Sequence, residues 1–135
     1  MEPSIEETLI NGIEAHKAGL IHKADEFYTA ILKSHPKHPD ANHNKGILIA
    51  NLGRTQDALS FFKNALEANS KVAQFWQSYI EALIKLDRFT EAKAVLSQAK
   101  SLGAYGEGLL ELDKWLESKT LAVINSPAIM KKEPN

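Results

Sequence analysis

Five histidines, His16, His22, His35, His38 and His43, crowd the first part of the chain. Imidazoles beside a carboxylate, here Asp40, are the raw material of a metal site. Their arrangement argues against one. His35 and His38 fall in a proline-containing loop and His43 on the next helix, a spacing that matches no zinc pattern and offers no rigid frame. They read as solvated loop side chains, and His16 and His22 as surface or groove residues. Catalytic constellations are also missing, with no nucleophile elbow, phosphate loop or HExxH pair. The acidic pairs Glu6/Glu7, Asp25/Glu26 and Glu107/Glu111 read as solvated helix faces or first-turn charges that complement the helix dipole. Phe75, Trp76, Tyr79 and Trp115 would make a stacking platform for bases or sugars, but at helical spacing they read as packing core. The expectation is a non-enzyme with no cofactor and no metal.

Composition narrows the class further. A formal net charge of -1 leaves no electrostatic footprint for nucleic acid or an anionic membrane surface. Hydrophobic residues at 44% and charged residues at 24% are ordinary for a soluble globular chain. The absence of cysteine excludes disulfides and thiolate metal sites. The start, MEPSIEETL, is acidic where a secretory signal needs basic and then apolar residues, and no apolar run has transmembrane length. A cytoplasmic protein is expected.

Helices must position whatever the chain does present, because apolar residues recur at three- and four-residue spacing and no strand alternation is credible. Ser4 with Glu7 forms a capping box that starts a helix running to about Ala18, where Gly19 supplies the left-handed stop. The second helix covers about Leu20–Ser34, and Pro36 and Pro39 break it. Pro39 suits the first turn of the third helix, which ends near Leu52, and Gly53 again supplies the stop. Thr55–Ala68, Ala73–Leu86 and Phe89–Ser101 follow, with Ser70 as the expected cap of the fifth helix and Asp87 in the place held earlier by glycine. Gly103 terminates the sixth. Leu109, Leu112, Trp115 and Leu116 then share a stripe on a helix over Glu107–Lys119 that Leu121–Ile124 can prolong.

Gly12/Gly46, Gly19/Gly53, Ala24/Ala58/Ala92 and Tyr28/Phe62/Leu96 recur at about 34 residues, with small residues at fixed places in each helix. This pattern resembles the tetratricopeptide repeat (TPR) family. Asn11 and Lys45 depart from it where leucine is usual, and Ile80 stands where the other repeats have glycine. The resemblance implies an all-α, right-handed α-solenoid of three helical hairpins (5–38, 39–72, 73–106) plus a C-terminal capping helix (107–119). Together these form a single domain over 1–119, with 120–135 as tail or linker.

The resemblance also implies a function, a concave groove that binds peptides or partner proteins. Carried over position by position, its lining is Leu9, Ile13, His16 and Lys17 from the first repeat and His43, Asn44, Ile47 and Asn51 from the second. The third adds Gln74, Gln77, Ser78, Glu81 and Lys85. Relatives that clamp the acidic C-termini of Hsp70 and Hsp90 use lysine and asparagine at the places held here by Leu9 and Ile13, asparagine at that of Asn44, and lysine and arginine at those of Gln74 and Ser78, so only Asn44 matches. That ligand class is therefore expected to be excluded. The expected partner is a protein or peptide segment with apolar anchors, laid on the strip Leu9, Ile13 and Ile47. Alternatively, Leu9 and Ile13 rotate inward to compensate for Thr8 and Asn11 at weak core positions. Two other uses stay open. The stretch FWQSYIEALIKLDRFTEAKAVL is similar to repeats ahead of bacterial glycosyltransferases of the O-linked N-acetylglucosamine transferase type, which would make this a docking part of a larger bacterial enzyme. Self-association through the strip or the first repeat's open edge is the other.

Overall fold

The computed structural model describes residues 2–124. Among them there are seven helices and no strand: α1 (Ile5–Lys17), α2 (Ile21–Ser34), α3 (Pro39–Asn51), α4 (Thr55–Ala68), α5 (Ala73–Lys85), α6 (Phe89–Ser101) and α7 (Glu107–Ile124). They pack in chain order as hairpins, α1 on α2, α3 on α4 and α5 on α6, and α7 lies against α5 and α6. The fold is a helical-hairpin solenoid with a terminal cap. The helix α7 continues to Ile124, past Lys119, and residues 125–135 of the expected tail lie outside the described residues.

One turn design is used in all three hairpins. The amides of Leu20, Arg54 and Arg88 donate to the carbonyls of Ala15, Ile49 and Leu83, which satisfies the orphan acceptors at the ends of α1, α3 and α5. The residue before each of those amides takes a left-handed conformation: Gly19 at φ 78°, Gly53 at φ 84° and Asp87 at φ 60°. Asp87 is the one non-glycine residue with positive φ among the described residues. At the helix starts, Ser4 Oγ accepts from Glu7 N at 3.1 Å as expected. Ser70 does not cap α5. That helix starts from Val72 with no side-chain cap, and the Ser70 carbonyl instead accepts from Trp76 Nε1 at 2.8 Å.

The hairpins are held by matched bulk. A methyl on Gly12 would stand 2.6 Å from the Tyr28 ring, and one on Gly46 the same distance from the Phe62 ring. Each aromatic therefore fills the space its glycine vacates, so the helices approach closely. In the third repeat the pair is Ile80 and Leu96, both buried, so volume moves from the second helix to the first while the total is held. Ala24, Ala58 and Ala92 are fully buried at the other close approach.

Polar side chains join successive repeats. Lys45, at a place expected to be apolar, reaches back to α2, with Nζ 2.8 Å from Asp25 Oδ1 and 2.7 Å from Thr29 Oγ1, and lies near the face of Phe61. Its stem packs while its charge stays paired. Asn42, 1% exposed, donates to the carbonyls of Pro36 (3.0 Å) and His38 (2.9 Å) and accepts from Asn64 at 3.4 Å. It thereby pins the loop between the first two repeats. Leu109 and Leu116 bury one face of α7, Lys100 pairs with Asp113, and Trp115 lies half-exposed beside Phe89.

Candidate functional site

The helices α1, α3 and α5 lie side by side, α1 touching α3 and α3 touching α5, so equivalent residues of the three repeats line up in rows across one face. The middle row is Ile13, Ile47 and Glu81. Leu9, His43 and Gln77 stand one turn toward the helix starts, and Lys17, Asn51 and Lys85 one turn toward the helix ends. Leu9, Ile13 and Ile47 are half-buried, each packed on the core along one side and open on the other. They thicken the core beside exposed Asn11, and their open sides make a half-exposed apolar strip.

Two hydrogen bonds stitch the rows together, each between residues 35 apart in the chain. Asn51 Nδ2 lies 3.4 Å from His16 Nε2, joining α3 to α1. His43 Nε2 lies 2.7 Å from Ser78 Oγ, joining α3 to α5. The second bond is buried, with His43 at 7% and Ser78 at 5% exposure, and the imidazole packs between Phe75 and Phe62 at centroid distances of 4.9 and 5.8 Å. His43 and Ser78 thus lie beneath the groove surface and fix its width. Asn44 and Gln77 are half-buried, and Lys17, Asn51, Gln74, Glu81 and Lys85 are exposed. Gln77 Nε2 donates to Glu81 Oε1 at 2.9 Å.

Burial pushes the His43 pKa below the usual imidazole value, while a hydrogen bond from the ring to the Asn44 side chain and the charge of Asp40 act in the opposite direction. An unfolded chain takes up a proton near pH 6.5, whereas the folded chain resists it. The stability due to neutral His43 is therefore complete above about pH 6.5 and is lost as pH falls from there toward the lower folded value. Urea titrations across that range are expected to show midpoints that fall with pH. A His43→Gln chain should lack that component, and a slope unchanged by the substitution would remove His43 as its source.

Some contributors are invisible in the repeat pattern. The helix α7 makes a further wall, because Gly108 leaves room for the Gln77 side chain where any Cβ would collide with it. His38 does more than sit in a loop: its Nδ1 accepts from Ala41 N at 3.1 Å and caps α3. Its place just before Pro39 at a helix start was the available signal. Among the described residues no three His, Asp or Glu converge as a metal would require, and no helix is long and apolar enough to cross a membrane.

Residues 50–103 match the tetratricopeptide repeat family. The Sgt2 TPR domain from Aspergillus fumigatus is similar in structure, with a TM-score of 0.79 at 17% identity over 99% of this chain and 87% of that one. So is the first TPR of Spaghetti (RPAP3) bound to HSP90 peptide SRMEEVD, with a TM-score of 0.76 at 19% identity over 87% and 93%. The TPR2B-domain:pHsp70 complex of yeast Sti1 has a TM-score of 0.74 at 20% identity over 86% and 97%. At these identities the shared property is the fold. No curated protein matches the chain by sequence.

The last two structures overturn one expectation. The departures at Leu9, Ile13, Gln74 and Ser78 do not exclude chaperone C-terminal ligands, because this same fold carries an HSP90 peptide in one case and is complexed with pHsp70 in the other. The exclusion counted charge only at fixed positions. Here positive side chains stand further along the same helices, at Lys17 and Lys85.

Proposed function

We propose that this chain is a non-catalytic protein-interaction module that holds an extended peptide segment across α1, α3 and α5. One observation carries the reading: Leu9, Ile13 and Ile47 stay half-open on α1 and α3, which the His16–Asn51 bond joins, while the His43–Ser78 bond ties α3 to α5. A half-exposed apolar floor on a rigid frame stabilises a ligand without the cost of ordering the receptor. Similar folds in complex with an HSP90 peptide and with pHsp70 support a protein-binding use of this fold. The glycosyltransferase-docking and self-assembly alternatives find no such support.

Introducing a charge on the floor tests this. Ile47→Glu should weaken binding of segments selected from a random peptide library by at least about tenfold, since the carboxylate must stay hydrated where the ligand needs a dry contact. Fluorescence anisotropy reads the binding, and circular dichroism should show unchanged helicity. If Ile13→Glu and Ile47→Glu proteins bind the selected segments as the parent does, the groove is not the site.

A further inference from the structure

The floor of the groove changes chemistry at its third step. Ile13 on α1 and Ile47 on α3 are followed in the same row by Glu81 on α5, which is exposed. A lysine four residues after a glutamate is the usual ion-pair partner on a helix, and Lys85 stands there, yet among the described residues no ion pair joins the two. Gln77 holds the carboxylate from the other side, its Nε2 donating to Glu81 Oε1 at 2.9 Å. A neutral amide orients a carboxylate without discharging it. With about four acceptor sites on a carboxylate, most stay open. The backbone of α7 decides which neighbour Glu81 meets. Gln77 lies in the notch left by Gly108, where an added Cβ would overlap its Oε1 and Cδ and stand 2.8 Å from its Nε2. Because that clash falls on the far end of a flexible side chain, a single methyl would displace the amide and spare the backbone.

We propose that Glu81 receives a basic side chain, lysine or arginine, from the segment bound in the groove, and that Gly108, through Gln77, keeps its charge available for that contact. The proposal rests on the groove reading above and names one element of the partner's chemistry. A ligand laid over Glu81 takes water from its carboxylate, and a matching cation offsets that cost where an apolar residue cannot. Neighbouring packed helices stand about 8–10 Å apart, which an extended chain covers in about three residues. The basic residue therefore falls about two to four positions from the one seated on Ile47. Along the row the segment is read as apolar, apolar and basic. Other positions of the segment, acidic ones included, are left open. Gly108 is a positioning residue, acting only through the Gln77 amide.

Random segments displayed with both ends blocked supply the probe. Those retained by the parent chain and lost on Ile47→Glu should be enriched in Lys and Arg at that spacing, and added salt should weaken them. Glu81→Gln keeps an oxygen for Gln77 but no charge. It should bind the same segments about fivefold more weakly, and its own selection should lose the basic preference. Glu81 is exposed, so circular dichroism should match the parent. Gly108→Ala should release the Gln77 amide, seen as a shift of its side-chain NH2 resonances in the unliganded chain. Glu81 then turns to Lys85, and the basic preference should again fall. In Gly108→Ala/Lys85→Gln no competing cation remains, so the preference should return, which a merely structural role for Gly108 does not produce. Floor-dependent segments without basic enrichment, or bound equally well by Glu81→Gln, would overturn the Glu81 contact and leave the groove standing. A Gly108→Ala chain that keeps the preference would overturn the role of the notch alone. If no selected segment responds to Ile47→Glu, the groove reading fails and this contact fails with it.

Discussion

Gly46→Ile should destabilise the domain by about 3 kcal/mol, and adding Phe62→Leu to the same chain should restore most of that loss. A single methyl at position 46 would already stand 2.6 Å from Phe62 Cε1 and 2.8 Å from Cδ1, and the ring is 1% exposed with nowhere to move. Isoleucine gains about half a kcal/mol over glycine in helix propensity, too little to offset overpacking. Phe62→Leu alone leaves a cavity and costs about 1–2 kcal/mol. The double substitution recreates the Ile80–Leu96 pair that the third hairpin already buries. Urea midpoints of the four proteins measure the coupling. Purely additive effects would mean that the glycine serves some need other than making room for the ring.

Asn42→Leu should cost about 2–3 kcal/mol although the shapes are close. The change buries no less apolar surface, so its effect isolates the hydrogen bonds. The carbonyls of Pro36 and His38 lose their donor and Asn64 loses its acceptor, around a side chain that water does not reach. Asn42→Asp should be worse at neutral pH, because it exchanges the two donor bonds for a buried charge facing two carbonyl oxygens. Amide exchange at Lys37 and His38 should speed up in both variants. Exchange there unchanged from the parent would show that the loop is held by its prolines instead.

The hairpins were legible because their determinants are local. Glycine or aspartate at each turn, prolines between the first two repeats and small residues in phase are dictated by backbone sterics, and all three turns follow them. Helix ends fell within a residue or two, except that of α7, which runs on from Lys119 to Ile124. The groove was legible only as a set of positions. Burial of His43 and Ser78 comes from the packing of α4 and α5 around them, and no period of 34 residues announces it. Lys45 read as a defect because its partners, Asp25 and Thr29, lie in the preceding repeat and match no family position. Ser70 looked like a cap by residue type, but the indole of Trp76 took its carbonyl and the helix began beyond it. The exclusion of chaperone peptides failed for a related reason: it scored individual positions, whereas similar folds at 19–20% identity are found with such partners.

The Lys45 contact has a mechanical consequence. It fastens α3 to α2 on one flank of the first joint, while the His16 and Asn51 side chains connect α3 to α1 on the other. A solenoid's pitch is set by the small rotation at each such joint, and here side-chain contacts hold both flanks of the first one. Tied on either side, it is braced like a beam pinned at both edges.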